Sequence, residues 1–262
     1  MDDVTVTSRQ LEQAHAVARA HSTTWYDPIK SMPPRLNEAC TGTYLMLRAI
    51  DEIEDHPTLP TAERVTLLRN VSVALQTQVD ARHFATLMAD HREALPDVTL
   101  SLLKWAALIP SDVAPRVCEA IATMADRMAD WVLKEFRIES REDLDRYTYA
   151  VGSATVLIFS DLWSWYDGAP SHRTHGISFG RFLQAVNILV DRDEDADRGV
   201  DFLPAGWEAR QMIDYAHDQE GGAAAYVNTL NPGPAHDFFS GPLLRAKEAL
   251  RKIDELVQTP PK

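Results

Sequence analysis

Two short stretches of the chain concentrate residue types that bind cations: "DEIED" at residues 51 to 55 and "DRDEDADRG" at residues 191 to 199. Residues three and four apart on a helix share a face, with Cβ atoms roughly 5–6 Å apart. Asp51, Glu54 and Asp55 therefore project together, as do Asp191, Glu194 and Asp195, and both triads spell Asp-x-x-Glu-Asp. Asp193 and Asp197 fall on other faces and are expected to meet solvent. Acidic runs on helices usually face water, but these triads follow the apolar runs "TYLMLRAI" and "FLQAVNILV". Each is thus expected at the end of a buried helix, where carboxylates repel one another unless cations neutralise them. Oxygen ligands on two helices suit Mg²⁺, which keeps several waters and takes its remaining ligands from substrate phosphates. The paired motifs predict a diphosphate substrate.

A di-iron bundle also sets carboxylates on facing helices, but it requires two Glu-x-x-His motifs. The chain offers one, Glu12 to His15, and neither acidic triad has a histidine at the matching offset. The di-iron alternative is therefore disfavoured.

Helices must position these residues, and helical periodicity dominates the sequence while strand alternation is scarce. Thr7 and Gln10 form a capping box ahead of "LEQAHAVARAH", and Ser140 with Asp143 opens a helix that runs to about Tyr166. Pro33 and Pro34 suit the first turn of a helix carrying "RLNEACTGTYLMLRAIDEIED" up to His56 and Pro57. Further helices are expected at about 61–92, 98–108, 112–136, 175–197, 206–218 and 239–258, with loops at 166–176 and 230–236. A chain of 262 residues, 45% of them hydrophobic, can bury a sizeable core as one large domain or two closely packed halves. The fold class expected is all-α.

Charge and cysteine usage narrow the partners. Lys and Arg number 26 against 39 Asp and Glu, a formal charge of −13 with no basic stripe, which argues against nucleic acid. The acidic, polar start "MDDVTVTSRQ" does not read as a secretory signal, so a cytoplasmic location is expected. "YAVGSATVLIF" at 149–159 is too short for a membrane span and is soon followed by Asp161; it is expected as a buried central helix. Cys40 and Cys118 lack metal-ligand spacing and are expected as small buried residues. Oligomeric state is not legible.

Taken in order along the chain, several segments resemble the squalene/phytoene synthase family. "YLMLRAIDEIED" resembles its first aspartate-rich helix, and "QAVNILVDRDEDADRGVDFLP" resembles its second. "HSTTWYDPIKSMPPRL" at 21–36 resembles the N-terminal segment in which a His-Ser pair opens a diphosphate-contacting stretch, and "DRYTYAVGSAT" at 145–155 resembles the central helix. The resemblance spans residues 21 to about 204 and implies a single domain over 1–262, an isoprenoid-synthase-type helical bundle with a central cavity. It implies Asp51, Asp55, Asp191 and Asp195 as catalytic Mg²⁺ ligands, assisted by Glu54, Glu194 and Asn187. It likewise implies diphosphate contacts from His21, Ser22, Arg48, Gln184 and Arg198. Trp25, Tyr26, Tyr44, Tyr147, Tyr149, Ala150 and Phe159 are the expected walls of a pocket for the acceptor or the allylic cation, with Trp163 and Trp165 nearby.

Three departures fall at positions where the family does chemistry. Members usually carry Lys or Arg where this chain has Thr23, and Arg where it has Val190, so two diphosphate-binding cations are missing. The family's central-helix tyrosine aligns with Ala150, although Tyr147 and Tyr149 are near. Head-to-head coupling needs two diphosphates, and this site looks built for one. The second subsite would then suit an uncharged, flat acceptor between aromatic walls. The losses resemble a small branch of the family, the squalene-synthase-like aromatic prenyltransferases that attach a dimethylallyl group to a carbazole in bacterial secondary metabolism. The expected partners are a prenyl diphosphate and an aromatic small molecule. The alternatives are a head-to-head squalene or phytoene synthase and a noncatalytic partner protein.

Overall fold

The computed structural model describes residues 7–22, 24–170, 172–197 and 199–258. Thr23 and Arg198, singled out in the sequence, lie outside the described residues. The chain divides into two compact units, Met1–Leu133 and Lys134–Lys262.

The first unit begins with α1 (Ser8–His21), and the expected capping box is present. The Thr7 N–H donates to Gln10 Oε1 at 2.9 Å, and the Gln10 N–H to Thr7 Oγ1 at 3.3 Å. There follow α2 (Tyr26–Lys30), α3 (Pro34–Glu54), α4 (Thr61–Thr77), α5 (Ala81–Leu87), a 3₁₀ turn at Ala89–His91, α6 (Asp97–Leu100), α7 (Leu102–Ala106) and α8 (Ala114–Leu133). α3 opens on a proline, whose missing N–H would have no helical partner there. It packs against α1, α2, α4, α6, α7 and α8, and is buried around most of its circumference. That enclosure buries polar Asn37, Thr41 and Thr43 along with the apolar run from Leu45 to Leu47.

The helix expected over 61–92 is broken. Gln78 takes a left-handed conformation, φ 52°, that ends α4, and Asp80 restarts the chain by accepting the His83 N–H at 2.8 Å. The helix expected over 98–108 is also divided, at Ser101.

The second unit contains α9 (Arg141–Thr148), a π-helical turn at Tyr149–Ser153, α10 (Ala154–Asp167), α11 (Arg173–Val190), α12 (Arg192–Asp197), α13 (Ala209–Thr229) and α14 (Pro234–Gln258). Ser140 caps α9 as expected, accepting the Asp143 N–H at 3.2 Å. α11 is the central element, packed against α9, the π turn, α10, α13 and α14. It meets the π turn backbone to backbone. A Cβ on Gly180 would lie 2.3 Å from Ser153 Cα, and one on Gly152 would lie 2.6 Å from the Gly180 carbonyl oxygen.

α13 continues well past its expected end at 218, through Gly221 and Gly222. Packing explains the second glycine, since a Cβ there would lie 2.6 Å from Ser178 Cβ on α11. α14 begins at Pro234, so the loop before it is shorter than the sequence suggests. The all-α class holds, with no strand among the described residues. No helix among them is long and apolar enough to cross a membrane.

Candidate functional site: two acidic helix ends

The first acidic triad lies at the C-terminal end of α3. Asp51 and Glu54 occupy its last turn, and Asp55 is the capping residue, its N–H donating to the Asp51 carbonyl at 2.9 Å. Glu54 is only 5% exposed, and its Oε1 has no hydrogen-bond partner. Burial, then the charges of Asp55 and Asp51, push the Glu54 carboxyl well above the usual range against the opposing pull of Arg64. Burial also raises Asp51 to about 7, with Arg48 opposing and Asp55 and Glu52 reinforcing the rise. Desolvation and the neighbouring carboxylates thus disfavour the charged forms of Asp51 and Glu54.

Around this helix end the structure gathers several of the expected diphosphate contacts. Arg48 donates from Nε at 2.9 Å and from Nη2 at 2.6 Å to the same oxygen, Glu52 Oε1. His21 Nδ1 lies 3.6 Å from that oxygen. Tyr44 hydrogen-bonds Ser22, and burial raises its phenol above the ordinary value. The Ser22 hydroxyl in turn accepts the Thr24 and Trp25 N–H groups at 3.1 and 2.9 Å, shaping the turn after α1. Glu52 is a residue that the triad pattern misses. Its signal was present as the four-residue spacing from Arg48, the standard helical ion-pair offset.

The second triad departs from the sequence expectation. Asp191, Glu194 and Asp195 do not lie on one unbroken helix, because α11 ends at Val190 and α12 begins at Arg192. The Asp195 N–H still donates to the Asp191 carbonyl at 2.9 Å, so the four-residue relation survives the break. Asp195 is buried at 6% exposure, whereas Asn187, Asp191 and Glu194 are exposed. Asp193 and Asp197 are exposed, as expected. Val190, 56% exposed, stands at the helix end immediately before Asp191. Gln184 lies farther back on α11 beside the π turn, 3.1 Å from where a Gly152 Cβ would be.

The expected aromatic walls divide into different environments. Tyr26 packs edge-on to His15 at 5.9 Å, with Lys30 5.6 Å from its ring centroid, in the contact between α1 and α2. Phe159 belongs to a closed aromatic core, 4.7 Å from Phe238 and 6.1 Å from Trp163. It is 3% exposed and enclosed by these rings. Tyr147 stacks on Phe202 at 4.9 Å and is likewise buried. Tyr149 and Ala150 open the π turn, with Tyr149 part-exposed and Ala150 buried. Trp25 and Trp165 are part-exposed.

The donor set at the end of α3 suits a hard divalent cation, and the unsatisfied Glu54 Oε1 is the observation that fits one. Among the described residues, however, no three His, Cys, Asp or Glu side chains converge closely enough to form a metal-binding group by themselves.

Known proteins supply the remaining context. Residues 18–261 match the family model described as squalene/phytoene synthase. The squalene synthase of Eremothecium gossypii is 28% identical over 215 residues, covering 77% of this chain and 48% of that protein. Human squalene synthase is 27% identical over 205 residues, covering 75% and 47%. The chain thus spans about half the length of these curated relatives. Among solved structures, a TcSQS complex with the ligand BPH1237 superposes with a TM-score of 0.77 at 18% identity, covering 94% of this chain and 79% of that one. A dehydrosqualene synthase in complex with a ligand superposes at 0.61 and 15%, covering 95% and 97%. At those identities the structural likeness speaks for the fold alone.

Proposed function

The chain belongs to the squalene/phytoene synthase family, whose members are prenyltransferase-type enzymes, and from that premise we propose that it transfers a dimethylallyl group from dimethylallyl diphosphate to a carbazole-type aromatic acceptor. The observation carrying this reading is Val190. Where the family usually has an arginine beside the second motif, this chain exposes an apolar side chain that cannot grip a phosphate. Ala150, at the position of the family's central-helix tyrosine, points the same way. That both acidic triads serve a single site in one domain over 1–262 is part of the proposal.

In this reading His21, Ser22 and Arg48 hold the diphosphate, together with Gln184 and Arg198. Asp51, Glu54, Asp55, Asn187, Asp191, Glu194 and Asp195 would hold Mg²⁺, which neutralises the leaving diphosphate when bound. The C–O bond to the diphosphate breaks, an electron-rich ring carbon attacks the allylic carbon, and the ring then loses a proton. Diphosphate, a carboxylate or a tyrosine can accept that proton. Trp25, Tyr44 and Tyr149 remain candidates to shield the cation, because each retains some exposure.

A second reading is head-to-head condensation of two prenyl diphosphates. The names of the relatives favour it, and on the comparisons alone it is the better supported of the two. Incubation with Mg²⁺ and dimethylallyl, geranyl or farnesyl diphosphate, with and without a carbazole, separates the readings. Prenylated carbazole is the expected product. A symmetric hydrocarbon from farnesyl diphosphate alone would establish the second reading, and absence of any product would count against both.

A further inference from the structure

Glu52 lies outside both acidic triads, yet two of the expected diphosphate contacts meet at it. Arg48 directs two N–H groups at its Oε1, at 2.9 and 2.6 Å, and His21 Nδ1 approaches the same atom at 3.6 Å. The pair is sheltered, with side-chain exposures of 36% for Arg48 and 24% for Glu52, so water screens it less than it would a fully exposed pair. The two Arg48 N–H groups spent on this one carboxylate oxygen are the donors with which a guanidinium would hold phosphate oxygens.

We infer that Glu52 competes internally with the substrate: it holds Arg48 on one carboxylate oxygen, and a prenyl diphosphate gains Arg48 only by displacing it. This inference rests on the proposed diphosphate role of Arg48. Glu52 is thereby a positioning residue that sets affinity. It occupies the guanidinium N–H groups, and its negative charge opposes the incoming anion. Release of product benefits from the same arrangement, since Glu52 can reclaim Arg48 as diphosphate departs. Both effects of removing the charge act in one direction, towards tighter diphosphate binding.

The test is a double-mutant cycle on the full chain, with binding of inorganic diphosphate in fixed Mg²⁺ measured by calorimetry. Glu52→Gln keeps the acceptor oxygen and the shape while removing the charge. It is expected to tighten diphosphate binding about tenfold, the scale of one competing charge-assisted contact. In the Arg48→Gln background the same change is expected to produce less than a twofold gain. Glu52→Asp should return affinity towards that of the wild type, and circular dichroism should show all variants folded. Unchanged or weaker binding in Glu52→Gln overturns the inference, as does a tenfold gain that persists without Arg48. Failure of the underlying reading looks different: Arg48→Gln alone would then leave diphosphate binding unchanged.

Discussion

At the residue scale, the first acidic motif makes a sharp statement about charge. Burial and mutual repulsion raise Asp51 and Glu54, so neutralising one of them should not cost the fold. Asp51→Asn is expected to abolish prenyl transfer while melting no lower than the wild type; activity near the wild-type level would remove Asp51 from the site. His15 makes a different, pH-dependent contribution. Asn37 donates to the Ile29 carbonyl at 2.7 Å, which leaves its amide oxygen to accept from His15 Nε2 at 3.0 Å. The other ring nitrogen, Nδ1, is buried without a partner, so a proton there would be unsatisfied. Burial lowers the His15 pKa, the Asn37 bond opposes this and Lys30 adds to it. The unfolded ring titrates near 6.5, above the folded one, so its contribution is complete above that pH and is lost as pH falls towards the lowered value. Thermal melts between pH 7.5 and about 5 should show a shallower pH dependence for His15→Gln than for the wild type. Parallel curves would refute this. The first triad was legible as residues because it falls at the end of one helix, whereas the second straddles the break between α11 and α12; Glu52 was not legible, because its role lies in a pairing with Arg48 rather than in a carboxylate pattern.

At the element scale, α3 and α11 are the two buried axes of their units; α3 ended close to where the sequence placed it, whereas α11 stopped at Val190, short of the expected 197. The breaks were harder to foresee. No proline or glycine marks Gln78 as the end of α4, and nothing in the composition of residues 191–197 separates α12 from α11. The glycines of α13 misled in the opposite direction, because a residue that disfavours an isolated helix can be required by a close neighbour. The contact of α11 with the π turn is the most restrictive of these approaches. Since the atoms crowding Gly180 are backbone, they cannot swing aside. Gly180→Ala is therefore expected to destabilise the protein by roughly 3 kcal/mol or more, measured by urea denaturation. A loss below about 0.5 kcal/mol would mean that the two segments separate easily.

At the scale of the whole molecule, the charge of −13 and the concentration of carboxylates at two helix ends speak to what the protein binds. The absence of a basic stripe argued against nucleic acid, and the family to which the chain belongs is one of prenyltransferase-type enzymes. Neither composition nor spacing could choose between one diphosphate and two. That choice depends on single side chains such as Val190, whose meaning comes from the site around them. A ligand that binds only the folded state raises its melting temperature. Mg²⁺ and inorganic diphosphate together are expected to raise it more than the sum of their separate effects, as seen by differential scanning fluorimetry. Simple additivity would argue that the two are not held at a shared site.

The π-helical turn at Tyr149–Ser153 bears on how this chain should be compared with its relatives. Such a turn holds one residue more than the α turn it replaces. The wider turn absorbs that residue locally, so deleting one residue within it would leave a plain α-helix with the flanking helices close to their present register. A single-residue gap here, trivial in an alignment, would therefore change which residue of the turn occupies a given place without re-aiming α10. A relative without the extra residue presents Tyr149's place in space from a neighbouring alignment column. Tyr149 and Ala150 must accordingly be matched to a relative's tyrosine by superposition, and a one-residue insertion can disguise a conserved side chain as a lost one.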